Sequence, residues 1–190
     1  MPQKLFISHS NKDRALAAAL AEAIGYLSLR TILCWIFSDN KAGNNWANDV
    51  QINLSTSQAM AVLITPNSIN NRWINIEIGI AIAEKLPIIP ICIGMREEDI
   101  PHPLNAYTCF LLNDHSSYVE LFTKLFALFQ IPFEEEMAAP TLNKIRTSFA
   151  SVSFDTVGAD PANKDLENVL QEIKDHLKDI LNEIKGMSSG

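Results

Sequence analysis

Glycine is scarce in this sequence, and no glycine-rich phosphate loop is present. The seven glycines are scattered along 190 residues, and Gly43 stands alone in a polar stretch. Dinucleotide-binding folds of the dehydrogenase type need clustered glycines, because their backbone must approach the pyrophosphate closely. The sequence therefore disfavours that class of enzyme.

Cysteine and histidine are also few, and their spacing argues against two further kinds of site. Cys34, Cys92 and Cys109 lie in apolar stretches without CxxC spacing, which predicts buried free thiols in a reducing compartment. The four histidines have no metal-ligand spacing, so we expect no metal site and no resident cofactor. No secretory signal is recognisable in the first residues, and we expect a cytoplasmic protein.

Long apolar runs and long basic runs are missing as well. No apolar stretch approaches the roughly 18 residues that cross a bilayer, so we expect no membrane partner. The net charge is −7, and the 15 lysines and arginines form no long basic block. Direct binding to nucleic acid is therefore not expected.

The sequence does contain a regular alternation of apolar strands and helices. Runs rich in β-branched residues predict five strands, over residues 5–7, 31–37, 58–64, 87–93 and 107–112. The segments between and after them predict helices, over residues 14–24, 46–55, 73–85 and 116–129. This alternation predicts an α/β fold, an open parallel sheet of five strands with helices on both faces.

Local signals add detail to three of these elements. Asn11 or Asp13 is placed to cap the first helix, and Gly25 is placed to end or bend it. Pro87 and Pro90 indicate that the fourth strand starts late or lies partly at an edge of the sheet.

Ligands of open parallel sheets bind beyond the carboxyl ends of the strands. That rule selects three polar segments of this sequence, which are Ser8-His9-Ser10, Ser38-Asp39 and the loop leading to Trp73. We expect the three segments to meet at one rim of the sheet.

The pair Trp73 and Glu77 is the most unusual feature of the chain. The two residues are four apart, so on a helix they share one face. The helix continues over residues 78–83 with almost only apolar side chains, and a carboxylate in such a place is usually paired, neutralised or used in chemistry. From these local residues alone, the sequence favours an ion pair between the Glu77 carboxylate and Arg72 or Lys85.

The folded domain is predicted to cover residues 1–133. A charged stretch and then small residues follow, so residues 134–163 are predicted to be a linker or a loosely ordered segment. Residues 164–190 repeat leucine and isoleucine at spacings of four and three, which predicts an amphipathic C-terminal helix. A helix this short needs a partner surface, and both docking on its own domain and self-association remain open.

Three motifs occur in a characteristic order. Phe6-Ile7-Ser8-His9-Ser10 opens the domain, a polar loop follows the second strand, and Ile64-Thr65-Pro66-Asn67-Ser68 leads to Trp73-x-x-x-Glu77. This combination resembles the Toll/interleukin-1 receptor (TIR) domain family, and specifically its bacterial members. The resemblance covers about residues 4–130.

The resemblance implies a flavodoxin-like fold and one of two activities. Many bacterial, plant and axonal TIR domains are NAD glycohydrolases, which release nicotinamide and ADP-ribose or a cyclised product. The glutamate of the Trp-x-x-x-Glu helix is catalytic in those enzymes, and Glu77 occupies its position. A second TIR domain often completes the site, and the loop from Asp39 to Trp46 is expected to regulate access to it.

One carboxylate suits this chemistry, because nicotinamide leaves a cationic sugar that a negative charge stabilises. The polar rim is expected to bind ribose and phosphates through Ser8, His9, Ser10 and Asp39. Trp73 or Trp46 is expected to stack on a ring of the substrate, and simple packing is the alternative for both. For His9 the alternative is a polar turn residue without a contact to NAD.

The leading hypothesis is therefore a TIR enzyme that takes NAD+ as its substrate and acts in bacterial antiphage defence, as effector or signal generator, once it assembles. A separate sensor or effector protein is a possible partner. The alternative is a non-catalytic TIR scaffold that acts through TIR–TIR interaction. Whether an enzyme of this kind hydrolyses or cyclises ADP-ribose stays open.

Overall fold

A computed structural model describes residues 3–36, 46–152 and 154 of the chain. The strands are β1 Gln3–Ser8, β2 Ile32–Ile36, β3 Ala59–Ile64, β4 Ile88–Cys92 and β5 Phe110–Leu111. The helices are α1 Arg14–Leu27, α2 Trp46–Ser55, α3 Arg72–Ala83, α4 His115–Leu128 and α5 Glu135–Ala150.

The five strands form one parallel sheet in the order β2-β1-β3-β4-β5. This order is that of the flavodoxin-like fold, so the predicted fold class is confirmed. Ser8 at the end of β1 is paired with Val62 of β3. From β1 the chain continues to α1 on one face, and from β3 it continues to α3 on the other. The boundary between β1 and β3 is therefore the topological switch point of the sheet.

A hydrophobic layer covers each face of the sheet. Side chains of α1, α4 and α5 pack on one face, and side chains of α2 and α3 pack on the other. The fourth predicted helix is present as α4, and its apolar face is buried: Tyr118, Leu121, Phe122, Leu125 and Phe126. The strands between the layers are nearly all apolar, as expected for a parallel sheet covered on both sides.

The predicted linker is wrong over most of its first half, because residues 135–150 form helix α5. This helix packs against α1 and α4. Its buried side chains follow helical spacing: Ala138, Leu142, Ile145 and Phe149. Pro140 and the run of glutamates obscure that spacing in the sequence, although the helix accommodates the proline. The boundary predicted at residue 133 therefore cuts through one packed unit.

Two local predictions about the first helix are also corrected. The first helix does not end at Gly25 but continues to Leu27, and the side chain of Asp13 makes no capping hydrogen bond to it. The prediction for the fourth strand is confirmed in its first alternative, because the strand starts late, at Ile88, and lies between β3 and β5. Because β5 pairs only with residues 91 and 92, Pro90 lies beyond the paired part on that side.

Some predictions fall on residues outside the described part of the chain. Asp39 and the C-terminal helix predicted over residues 164–190 are among them, and so is the side chain of Trp46. Within the described ranges, none of the helices has the length and apolar character needed to cross a bilayer.

Gly94 and Gly79 offer a matched pair of stability predictions. Gly94 has φ +67°, and a Cβ there would lie 2.6 Å from the Phe154 ring, so we expect Gly94→Ala to cost at least about 1 kcal/mol. A Cβ at Gly79, within α3, would meet no atom within 4 Å, so Gly79→Ala should stabilise the protein by about 1 kcal/mol. Denaturant unfolding of both variants measures the two effects, and equal signs would contradict this account.

Candidate functional site

The start of α3 is fixed by a compact turn that follows β3. The backbone N–H of Thr65 donates to the Ser68 hydroxyl at 2.8 Å. Asn71 then caps the helix, because its side-chain oxygen accepts the N–H groups of Trp73 at 2.9 Å and Ile74 at 3.4 Å. This geometry determines which residues of α3 face the sheet, and Glu77 is one of them.

Glu77 is a buried carboxylate with two neutral donors. Its side chain is 3% exposed. The Ser8 hydroxyl donates to Oε2 at 2.5 Å, and the indole N–H of Trp73 donates to Oε1 at 2.8 Å. The predicted sharing of one helix face by Trp73 and Glu77 is therefore a direct hydrogen bond. No lysine or arginine of the described residues forms an ion pair with Glu77, so the predicted pairing with Arg72 or Lys85 is wrong.

Burial raises the pKa of Glu77 from its ordinary value of 4.5 to about 7, although the hydrogen bonds from Ser8 and Trp73 act in the opposite direction. Removing a carboxylate from water disfavours its charged form, and two neutral donors compensate only part of that cost. Near neutral pH the carboxyl group can therefore either hold or release a proton. This property is typical of a group that takes part in chemistry.

The raised pKa also predicts how stability depends on pH. The folded protein binds the Glu77 proton more tightly than the unfolded chain, so this stabilisation is complete below pH 4.5 and is lost as the pH rises through about 7. Glu77→Gln cannot ionise and should lack this loss. As the pH rises from 4.5 to 8, we expect the free energy of unfolding of the variant to increase by on the order of 3 kcal/mol relative to that of the wild type. Denaturant unfolding at several pH values tests this, and parallel curves for the two proteins would contradict it.

A second buried carboxylate lies at the same end of the sheet. Asp13 is 1% exposed and accepts three side-chain hydrogen bonds. The hydroxyls of Ser10 and Thr65 donate to Oδ2 at 2.7 and 2.6 Å, and the Asn67 amide donates to Oδ1 at 3.0 Å. The sequence prediction assigned Asp13 only a possible capping role, although polar residues at positions 10, 65 and 67 follow the ends of β1 and β3. Asp13 joins the turn after β1 to the turn after β3.

The structure brings some of the predicted site residues together and separates others. Ser8 and Trp73 contact Glu77, whereas the Ser10 hydroxyl points to Asp13. His9 is half-buried, and its Nδ1–H donates to the Ile7 carbonyl at 3.2 Å. The prediction of one shared rim thus holds for the segments after β1 and β3.

The cysteines contribute no reactive nucleophile to this site. All three are free thiols; Cys92 is buried, and the prediction of burial is wrong for Cys34 and Cys109, which are half-buried. Burial raises the pKa of Cys34 and of Cys92 to about 12, which suppresses the thiolate. In the described part of the chain, no group of three or more potential ligands lies close enough together to hold a metal ion.

The fold and the site together define a flavodoxin-like domain with a buried carboxylate at its switch point. The chain belongs to the TIR domain family, because the family model matches residues 5–126. A search of curated proteins found no match. A similar solved structure contains the TIR domains of the activated Roq1 resistosome directly recognizing the pathogen effector XopQ. The sequences are 16% identical, the match covers 90% of this chain and 99% of that chain, and the TM-score is 0.42.

Proposed function

We propose that this TIR domain cleaves NAD+ between nicotinamide and ribose, with Glu77 as the catalytic residue. The observation that carries the proposal is the buried Glu77 carboxylate, held by Ser8 and Trp73 beside the switch point of the sheet. Ligands of this fold bind at that place, and a single carboxylate is what the reaction needs. Membership in the TIR family adds support, since the family includes NAD glycohydrolases.

The reaction breaks the bond between ribose C1′ and the pyridinium nitrogen of nicotinamide. The bonding electron pair goes to that nitrogen, so nicotinamide leaves as a neutral molecule and needs no general acid. The ribose acquires oxocarbenium character, which a nearby negative charge stabilises. A water molecule then adds at C1′ and loses a proton, which gives ADP-ribose. If a nucleophilic atom of ADP-ribose adds instead of water, the product is cyclic.

Glu77 can supply both the charge and the proton acceptor. Ionised, it places a negative charge in a desolvated site, where electrostatic interactions are stronger than in water. With a pKa of about 7 it can also accept the proton that the attacking water releases. Each carboxylate oxygen has two lone pairs, so the bonds from Ser8 and Trp73 leave capacity to accept a ribose hydroxyl.

The direct test is product analysis with the purified chain. NAD+ is incubated at high protein concentration, and nicotinamide, ADP-ribose and cyclic products are separated by chromatography. We expect nicotinamide release, and the second product distinguishes hydrolysis from cyclisation. Absence of nicotinamide release under every condition that promotes assembly would refute the proposal.

The second candidate is a TIR scaffold without chemistry. Three isoleucines on the adjacent helices α2 and α3 favour it, because they are exposed on the surface: Ile52 51%, Ile76 39% and Ile82 45%. Such side chains suit contact with another copy of the domain. Mass measurement in solution, with and without residues 164–190, tests whether the chain associates and whether its C-terminal segment contributes. Association without nicotinamide release would favour the scaffold.

The biological setting is part of the same proposal. We infer a bacterial antiphage effector or signal generator that acts in the cytoplasm, with NAD+ as substrate and assembly as the trigger. The support is the resemblance of residues 4–130 to bacterial TIR domains. Measuring cellular NAD+ in bacteria that carry the gene, before and after phage infection, tests this setting. An unchanged NAD+ level during infection would contradict it.

A further inference from the structure

Asp13 is a buried acid for which the proposed reaction has no use. It lies at the end of the short 3-10 helix Asn11–Asp13, directly before α1, but it does not cap that helix through its side chain. Its three hydrogen bonds come from two separate turns, since Thr65 and Asn67 are 52 and 54 residues further along the chain. Asp13 is 1% exposed, and a buried polar side chain with these partners needs a structural or functional explanation.

The topology explains why a connection is needed at this place. Strands β1 and β3 are neighbours, but the chain leaves them towards opposite faces of the sheet. The two turns therefore diverge at the switch point, where the crevice of this fold opens. The pairing of β1 with β3 ends with Ser8 and Val62, so the hydrogen bonds between these two strands do not join the two turns beyond that pair.

The donors to Asp13 are all neutral, and their bonds are short and directional. No lysine or arginine of the described residues forms an ion pair with Asp13, so the contacts specify geometry rather than compensate charge. The Ser10 and Thr65 hydroxyls both donate to the same oxygen, which brings the turn after β1 against the turn after β3. Hydrogen bonds to a charged group contribute more than bonds between neutral groups.

We propose that Asp13 is a positioning residue that joins the two turns and thereby holds the Ser8 hydroxyl against Glu77. Ser8 is two residues before Ser10, and the turn that contains Thr65 leads into the helix that carries Glu77. Both partners of the hydrogen bond between Ser8 and Glu77 are thus linked through Asp13. The catalytic part of this inference rests on the proposed NAD cleavage, but the geometric part does not.

The geometric part can be measured without any turnover. The Trp73 indole N–H donates to Glu77, so its nuclear magnetic resonance signal should report the ionisation of Glu77. The chain has three tryptophans, and Trp73→Phe assigns the signal. In the wild type we expect the chemical shift of this signal to change with pH in a transition near pH 7. The transition should be absent in Glu77→Gln, which assigns it to the Glu77 carboxyl group.

Asp13→Asn keeps the shape of the side chain and removes its charge and one acceptor oxygen. The hydrogen bond from Ser8 lowers the pKa of Glu77, so its loss in Ser8→Ala should move the transition to higher pH. We expect Asp13→Asn to move it in the same direction, and the double variant to move it no further than Ser8→Ala alone. Asp114→Asn, at the exposed cap of α4, is the matched control and should leave the transition unchanged.

A transition in Asp13→Asn at the wild-type pH would overturn the proposal, and so would additive shifts in the double variant. If Asp13→Asn does not fold, Ser10→Ala removes one donor to Asp13, and its transition should move less but in the same direction. In the activity assay we expect kcat of Asp13→Asn to fall about 10- to 100-fold with a smaller change in KM. If no variant cleaves NAD+, the proposed function fails while the spectroscopic result still decides the role of Asp13.

Discussion

Replacing Glu77 with glutamine is expected to reduce the rate of nicotinamide release by about 10³-fold, because the variant loses the charge that stabilises the cationic ribose. The substitution preserves size. The amide oxygen can accept the indole N–H of Trp73, and the amide NH2 can donate to the Ser8 hydroxyl, which then accepts instead of donating. Fold and substrate binding should therefore persist, so kcat should fall much more than KM rises. Steady-state kinetics of the two purified proteins measures the effect.

Glu84→Gln is the matched control for this experiment. Glu84 ends the same helix α3 but is exposed, so its substitution removes an equal charge outside the site. We expect its activity to stay within about twofold of the wild type, since exposed charges are strongly screened. Equal losses in the two variants would show that the net charge of the helix matters and that Glu77 has no special role.

Phe149→Ala is expected to lower the free energy of unfolding by about 3 to 5 kcal/mol, more than the substitutions of Gly94 or Met137. Phe149 belongs to α5 and is 3% exposed. Its ring lies 6.1 Å from the ring of Tyr118 on α4, so its removal leaves a cavity between α5 and the rest of the domain. The free energy of unfolding from denaturant titration measures the loss.

Met137→Ala on the same helix provides the comparison. Met137 is 79% exposed, so its substitution should change the free energy of unfolding by less than about 0.5 kcal/mol. A loss below about 1 kcal/mol for Phe149→Ala would mean that α5 contributes little to the domain. Ending the chain at residue 133 should expose the same apolar surface and prevent stable folding.

The sheet and its helices could be predicted because their signals are local. Strands buried on both faces are continuous apolar runs, and the apolar face of α4 repeats at helical spacing. Helix α5 has the same spacing, but Pro140 and its charged first turn conceal it. Tertiary packing on α1 and α4 stabilises this helix, and that contribution is invisible in a short window of sequence.

The candidate site could be predicted only in part, for a related reason. Trp73 and Glu77 are four residues apart, so one turn of the helix brings them into contact, and the sequence indicates this contact directly. The partner on the other side, Ser8, is 69 residues away in sequence and reaches Glu77 through the fold. The role of Asp13 is likewise non-local, and its position before α1 suggests a helix cap instead.

The dependence of nicotinamide release on pH tests the central claim most directly. With saturating NAD+ and assembled protein, the wild-type rate should rise as the pH passes through about 7, where Glu77 ionises. Glu77→Gln should show only a trace of activity and no such rise. A wild-type rate that does not change between pH 5.5 and 8.5, or a variant with the wild-type profile, would contradict the assignment of catalysis to Glu77.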